Sequence, residues 1–263
     1  MKMQILVSAV NQDGRELAER MRLPAESILI VQGKENRYDE WERCGNRIRC
    51  YYFAERGVGL SRNNALLRAD GDLCLFSDED IVYCPDAAEK VVRAFEEHPE
   101  ADMLLFNVKV HPDRRTYWTE SFHRVRWYNS GRYPAYSFAL RTERMHAKNL
   151  SYSLLFGGGA KYANGEDSLF LKDCLRAGLK VWAVPEEIGE EVPRPSTWFH
   201  GYDERFFHDR GVLYRALYGP LAGLMGLRFL LRGRGKMWGE SGMSFARAKK
   251  LLFSGIRDGR KEF

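Results

Sequence analysis

Short runs of apolar residues alternate along the chain with longer segments of helical period, and this order predicts βαβ units. The predicted strands are Ile5–Val7, Ile28–Val31, Tyr51–Phe53, Leu73–Phe76, Met103–Val110 and Val181–Val184. The predicted helices are Asp13–Arg22, one from Ser61, Pro85–Glu97, Ser168–Ala177 and a helical tail from about Asp203, and 111–132 reads as a loop-rich insertion. Because the run at Leu73–Phe76 is typical of a strand buried on both faces, we predict an α/β fold. Its sheet should be Rossmann-like, mainly parallel and flanked by helices.

The charge of the chain is unevenly distributed. The 263 residues are 44% hydrophobic and 29% charged, which is the balance of a folded protein with a sizeable core. Residues 219–263 contain ten Lys and Arg but only three Asp and Glu, so this tail carries +7 while the rest of the chain carries −2. A weakly acidic body lacks the basic working face of a duplex-DNA reader, so we expect no nucleic-acid partner.

The tail also contains leucines, and two interpretations stay open. It could lie on an anionic membrane surface, or it could pack on the body as a helix with a solvated basic face. The five scattered cysteines lack a C-x-x-C pair, which indicates reduced thiols and a cytoplasmic protein. The N-terminus lacks the pattern of a signal peptide, and Leu221–Leu231 is too short to span a bilayer. We therefore expect a cytoplasmic location. Attachment of the tail to the inner face of the membrane is the alternative to test.

Three consecutive acids follow the buried strand Leu73–Phe76. In extended backbone, Asp78 and Asp80 point to the same side. Two carboxylates that leave coordination positions open suit Mg²⁺ or Mn²⁺ with a substrate diphosphate, and a solvated acidic turn is the alternative. The chain has neither the G-x-x-x-x-G-K-[ST] loop of P-loop NTPases nor the G-x-G-x-x-G of nicotinamide dehydrogenases, which argues against both classes.

Two further segments place polar residues at predicted helix starts. In Gly57–Leu66, a glycine turn opens a helix with Ser61 as a candidate N-cap, and Arg62 adds a positive charge for an anionic ligand. In Asn164–Asp167, the positive end of the following helix would keep a carboxylate ionised, so that it could accept a proton from a bound hydroxyl. An ordinary capped helix with a solvated arginine, and a plain capping aspartate, are the respective alternatives.

Taken in order, three motifs resemble those of the inverting family 2 glycosyltransferases of GT-A fold. They are Gly59-Leu60-Ser61-Arg62-Asn63, Ser77-Asp78-Glu79-Asp80 and Gly165-Glu166-Asp167, within a resemblance that covers about residues 3–190. The resemblance implies a GT-A domain at 1–200 followed by a basic helical extension at 201–263. It also implies metal-assisted transfer of a sugar from a nucleotide sugar to a glycan or lipid-linked acceptor, in surface-polysaccharide assembly.

The resemblance assigns roles to individual residues. It implies Asp167 as catalytic base, with Glu166 as the neighbour that could be confused with it. It implies Asp80, or alternatively Asp78, as ligand of Mn²⁺ or Mg²⁺, and makes His200 a candidate third ligand against a purely structural role. The residues implied to contact the nucleotide sugar are Ser8, Asn11, Gln32, Ser61, Arg62, Asn63 and Glu79.

The sequence also departs from the family pattern. The first strand lacks the tyrosine that often faces the base, and the second ends in Gln32 where the family usually has paired acids, so UDP is only the default nucleotide. These departures keep a non-catalytic sugar-nucleotide-binding module as the alternative, with a nucleotidyltransferase as a weaker one. Aromatic residues of the 111–136 region could stack on sugars or pack on the sheet, namely Trp118, Trp127, Tyr128, Tyr133 and Tyr136.

Overall fold

The computed structural model describes residues 1–112, 115–193, 201–233, 237 and 243–263. The strands in these ranges are β1 (Met3–Val10), β2 (Glu26–Gln32), β3 (Arg37–Arg43), β4 (Asn46–Phe53), β5 (Leu73–Asp78), β6 (Ile81–Tyr83), β7 (Met103–Lys109), β8 (His123–Arg124), β9 (Phe138–Arg141) and β10 (Val181–Glu191). The α-helices are α1 (Gly14–Met21), α2 (Val58–Arg68), α3 (Ala87–Glu97), α4 (Thr142–Ala147), α5 (Glu166–Arg176), α6 (Glu204–Tyr218), α7 (Ala222–Arg232) and α8 (Phe245–Asp258).

These strands form one mixed sheet in the order β3-β4-β2-β1-β5-β9-β7-β10-β6, and β8 pairs with β10. Its central part, β4-β2-β1-β5, is parallel throughout. β9 lies antiparallel between β5 and β7, while β7 and β10 are again parallel. The prediction of a mainly parallel α/β sheet flanked by helices is therefore confirmed.

The alternation of side chains along β1 explains why the sheet is covered on both faces. Ile5 and Val7 lie in one core cluster with Leu17 of α1. Leu6 lies in a second cluster with Ala65 of α2 on the opposite face. Each fully buried aliphatic side chain stabilises the fold by about 1.5–3 kcal/mol relative to an exposed one. α1 and α2 are thereby fixed on opposite faces of the same strands.

Some elements lie outside the sequence prediction. β3 pairs antiparallel with β4 at the edge of the sheet, and most of its residues are charged and partly exposed. An edge strand with charged side chains gives no apolar run to detect. β9 and α4 contain only four and six residues, which is too short for a hydrophobic period to stand out.

The helical tail forms its own small core. α6, α7 and α8 bury Phe207, Leu230 and Leu252 against one another. α6 and α8 approach so closely that a Cβ added at Gly211 would lie 2.0 Å from the Leu252 carbonyl oxygen. Among the helices that the structure describes, none has the length and apolar character of a membrane span.

Candidate active site

The candidate site lies where the carboxyl ends of the central strands meet. Ser8 of β1 is in register with Asp78, the last residue of β5, and Val10 is in register with Gln32 of β2. Arg62 of α2 contacts both Asp78 at the end of β5 and Asp167 in the first turn of α5, so both helices reach this edge of the sheet. In open parallel sheets, ligands bind at this edge.

The guanidinium of Arg62 holds three carboxylates of distant sequence position together. Its Nη2 lies 2.9 Å from Oδ1 of Asp78. Its Nη1 lies 2.6 Å from Oδ1 of Asp167 and 3.3 Å from Oε1 of Glu166. The second oxygen of Asp167 accepts a hydrogen bond of 3.0 Å from the amide of Ala135. Asp78 and Asp167, nearly ninety positions apart, therefore share one site, and Asp167 is fixed at both oxygens.

Burial controls the charges of this group, which we call the Arg62 cluster (Arg62, Asp78, Glu166 and Asp167). The side chain of Arg62 is 3% exposed. Burial lowers its pKa, but Asp167 and Asp78 outweigh this effect and raise the pKa well above the ordinary value. Burial raises the pKa of Glu166 to about 7, and the neighbouring Asp167 adds to this rise. Burial also raises the pKa of Asp167, against the opposing effect of Arg62. A carboxylate with a raised pKa is a stronger base at neutral pH.

Arg62 itself is held in place by the segment before α5. Its guanidinium carbon lies 5.2 Å from the ring centre of Tyr152, within the range of a cation–π contact. The amide of Asn63 donates to the Tyr152 carbonyl and accepts from its N–H, at 2.9 and 2.7 Å. Asn63 is a predicted nucleotide contact, but its amide oxygen and its amide nitrogen both bond to the segment that contains Tyr152.

The start of α2 differs from the sequence prediction. The helix begins at Val58 with Gly57 as N-cap residue at a φ of 132°, so the prediction of Ser61 as N-cap is wrong. Ser61 lies in the first turn, and its hydroxyl is 2.9 Å from that of Ser8. Glu166 and Asp167 likewise lie inside the first turn of α5, which is capped by Gly165 without a side-chain hydrogen bond. Asp167 is therefore not a plain capping residue.

Gln32 anchors the glycine turn that precedes α2. Its side-chain oxygen accepts from the N–H of Gly57 at 3.0 Å, and its amide nitrogen donates to the Gly57 carbonyl at 3.1 Å. The side chain is 2% exposed and also reaches Glu55. Next to it, Asn11 has a φ of 53° and donates its backbone N–H to Gln32. Whether Gln32 and Asn11 also contact a nucleotide stays a prediction.

The three consecutive acids do not continue one extended strand. β5 ends at Asp78, and Glu79 and Asp80 form the turn to β6, so the backbone is not extended through Asp80 as the sequence argument assumed. Asp78 bonds to Arg62 of α2, whereas Glu79 accepts the Val10 N–H at 3.0 Å. Asp80 lines a cavity of about 300 Å³ together with Arg20 of α1.

The predicted metal ligands are thus divided between two places. No group of three or more His, Cys, Asp and Glu side chains within the described ranges has the geometry of a metal site. His200 lies outside the described residues. A divalent ion bound by Asp80 would have to take its remaining ligands from the diphosphate and from water, as Mg²⁺ commonly does.

The aromatic residues of the 111–136 region divide into two groups. Tyr133 is 2% exposed and packs into the core beside Tyr117. Trp127 and Tyr128 are 68% and 66% exposed and meet edge to face, with ring centres 5.6 Å apart. Packing on the sheet therefore accounts for the first group only.

Comparison with known proteins places the chain in a family. Residues 16–160, more than half of the chain, match the family model for glycosyl transferase family 2. The chain belongs to this family. As a family 2 glycosyltransferase it is a nucleotide-sugar-dependent transferase, and no curated protein matches its sequence.

Solved structures of glycosyltransferases share its fold. S. aureus TarS 1-349 in complex with UDP-GlcNAc superposes with a TM-score of 0.61 at 15% identity, over 91% of this chain and 74% of that one. The mannosyltransferase PcManGT from Pyrobaculum calidifontis, in complex with GDP-Man and Mn²⁺, gives 0.53 at 11% identity, over 99% and 87%. These likenesses show the GT-A fold.

Several contributors to the site escaped sequence reasoning. Tyr152, the backbone N–H of Ala135 and Glu55 belong to no motif, and each reaches the site through a contact that only the fold creates. For Tyr152, the only local signal was its place in an apolar stretch, which is equally typical of a core residue.

Proposed function

We propose that this glycosyltransferase moves a sugar from a nucleoside diphosphate sugar to an acceptor hydroxyl with inversion at the anomeric carbon, and that Asp167 is the catalytic base. The observation that carries this proposal is the Arg62 cluster, which fixes Asp167 at both oxygens on the edge of the sheet where Asp78 ends β5. A base held in one orientation favours proton transfer, because it need not be ordered when the acceptor binds.

The proposed step is a single displacement. The acceptor oxygen gives its proton to the carboxylate of Asp167 and forms the new bond to the anomeric carbon. The bond from that carbon to the diphosphate breaks, and the nucleoside diphosphate leaves with the electron pair. Glu166 is the second candidate base, since the pKa of about 7 places its charge change near neutral pH. We favour Asp167 because both of its oxygens are held, by Arg62 and by the N–H of Ala135.

We propose Mn²⁺ or Mg²⁺ as the cofactor, with Asp80 as its ligand from the protein. The donor set fits these hard ions because Asp80 offers carboxylate oxygen on the wall of a cavity beside the strand ends. When bound, the ion supplies charge neutralisation for the leaving diphosphate. Asp78 is the weaker candidate, since its carboxylate is bonded to Arg62.

The nucleotide and the biological setting follow from the resemblance. UDP is our default donor nucleotide, and GDP is the competitor, since the compared structures hold UDP-GlcNAc and GDP-Man. We propose a role in surface-polysaccharide assembly, in a cytoplasmic protein made of a GT-A domain at 1–200 and an extension at 201–263.

A donor screen followed by one substitution tests the proposal. Thermal shifts with UDP-, GDP-, CMP- and dTDP-sugars in the presence of Mn²⁺ identify the donor, because a ligand of the native state raises the melting temperature. Asp167→Asn should then lower the transfer rate by about 10²–10⁴, the usual contribution of a general base, without a change in the donor's thermal shift. Asp173→Asn, an exposed position on the same helix, is the matched control and should keep full activity.

Two results would count against the proposal. Full activity in Asp167→Asn would exclude this residue as the base. Donor binding by the native chain without turnover over a broad acceptor panel would favour the non-catalytic module instead.

A further inference from the structure

A second cavity, of about 540 Å³, runs along α5 away from the Arg62 cluster. Segment 124–131 and the end of α6 complete its walls. On α5 the lining residues include Ser168, Lys172 and Arg176, whose spacing of four residues places them on one helix face. Ser168 directly follows Asp167, and Arg176 lies about 12 Å further along the helix axis. The cavity therefore extends along α5 from the residue that follows the proposed base.

The walls of this cavity carry positive charge only. Four cations line it, and no Asp or Glu does: Arg124, Arg126, Lys172 and Arg176. Within the described part of the chain, no carboxylate lies within ion-pair distance of any of the four. Lys172 donates to the carbonyl of Ala216, and burial together with Arg176 lowers its pKa. Asp173, which does not line the cavity, offsets part of the charge of Lys172 and Arg176 from the neighbouring position. An excess of positive charge in a concave site raises the local concentration of anionic ligands.

Exposed aromatic rings stand at the rim of the same cavity. Trp127 and Tyr128 line it and also line an adjoining cavity of about 560 Å³. That second cavity again presents cations without acids, namely Arg132, Arg228 and Arg232. Large aromatic side chains left two-thirds exposed give up the stabilisation that burial would supply, and such patches commonly mark binding sites.

We infer that these two adjoining cavities form the acceptor site, and that the acceptor is an anionic saccharide, with phosphate or carboxylate groups on its sugars. The cations bind the anionic groups, and Trp127 and Tyr128 stack on the sugar rings. This inference rests on the proposed function, because the base at Asp167 is what makes the neighbouring cavity an acceptor site. A flat membrane contact fits less well, since the exposed leucines Leu221, Leu224 and Leu231 line neither cavity.

Binding of model oligosaccharides tests the inference without need of turnover. Titration calorimetry compares hexagalacturonate, which is carboxylated, with maltohexaose, which is neutral and of equal length. The native chain should bind hexagalacturonate at least about tenfold more tightly, and added salt should reduce this preference. The double variant Arg126→Ala/Arg176→Ala removes two exposed cations of the cavity and should weaken hexagalacturonate binding about fivefold to tenfold.

The matched control is Lys249→Ala/Lys250→Ala, which removes the same charge from exposed positions of α8. It should bind hexagalacturonate like the native chain, and both double variants should keep the native thermal shift with the donor. Equal affinity for the two oligosaccharides, or equal losses in the two variants, would overturn the inference.

Vesicles of phosphatidylglycerol, with phosphatidylcholine vesicles as reference, address the membrane alternative. Vesicle binding that depends on Arg126 and Arg176, in a chain that does not distinguish the two oligosaccharides, would overturn the inference in favour of a lipid contact. Failure of the proposed function looks different, because a chain without transferase activity would still show the charge preference in calorimetry.

Discussion

Replacement of Arg62 by methionine is the most informative perturbation of this molecule. Methionine keeps an unbranched apolar side chain at this position but removes the positive charge that Asp78, Glu166 and Asp167 share. Three carboxylates would then face one another at the edge of the sheet without compensation. Unpaired charges that stay partly buried are costly, so we expect a loss of stability as well as of activity.

The magnitude follows from the exposure of each group. Loss of one partner from a buried ion pair costs about 3–5 kcal/mol. Arg62 is 3% exposed, whereas Asp78 and Asp167 are 31% and 23% exposed, so water screens part of their charge. We therefore expect the free energy of unfolding to fall by about 2–4 kcal/mol at about pH 8.

The loss should depend on pH. Arg62 lowers the pKa values of Glu166 and Asp167, which burial raises, so these values rise further without it. As the pH falls, the folded variant binds protons more readily than the folded wild type, and this recovers part of the lost stability. We expect the loss at about pH 5 to be roughly half of that at about pH 8.

Urea unfolding of both proteins at the two pH values measures this difference. Arg49→Met is the control, since Arg49 pairs with the half-exposed Asp70 and the loss should be less than about 1 kcal/mol. An Arg62→Met loss that is no larger than the control, or that is the same at both pH values, would refute the electrostatic account of the Arg62 cluster.

Three smaller predictions concern the surroundings of the cluster. Gly157→Ala puts a Cβ 2.7 Å from the Val58 side chain, at a φ of 108° that alanine rarely adopts. Urea unfolding should show a loss of about 2–3 kcal/mol, against about 1 kcal/mol for the control Gly45→Ala, whose Cβ is unobstructed. Equal losses would contradict the steric argument. Glu166→Gln removes a carboxyl whose pKa is raised from 4.5 to about 7. As the pH rises from 4.5 to about 7, the free energy of unfolding should therefore fall less in the variant than in the wild type, and an equal fall would disprove the shift. Asn63→Ala leaves both bonds to the Tyr152 backbone unmade, and thermal unfolding should report a loss of about 1–3 kcal/mol. Unchanged stability would show that these bonds contribute nothing.

Sequence reasoning succeeded where a local pattern carries the physics. The apolar runs in β1 and β5 mark strands buried on both faces, because a residue that points to either side must be apolar there. The rule that ligands bind at the carboxyl ends of parallel strands indicated the edge where Asp78 lies, and the family resemblance assigned Asp167 to the same site. Three motifs that are weak one by one were sufficient, through their order along the chain, to indicate the family.

Contacts between distant segments were beyond reach. Arg62 and Asp167 are 105 positions apart, and nothing in either motif indicates that the arginine pairs with protein carboxylates rather than with a ligand. Gln32 was predicted from its place at a strand end, but its bonds to Gly57 depend on where the chain re-enters 25 residues later. The turn at Glu79 and Asp80 also defeated the rule of strand alternation, which holds only while the backbone stays extended.

The helical extension bears directly on the position of the proposed base. A Cβ at Gly165, the N-cap residue of α5, would lie 2.5 Å from Leu213 of α6, so α6 packs on the point where α5 begins. Nearby, the carboxylate of Asp209 on α6 accepts the N–H of Ala163 at 3.1 Å. Glu166 and Asp167 follow Gly165 immediately, and their orientation therefore depends on a helix beyond residue 201. The extension is thus part of the scaffold that holds the Arg62 cluster, and its contribution to the site does not require that it touch a substrate.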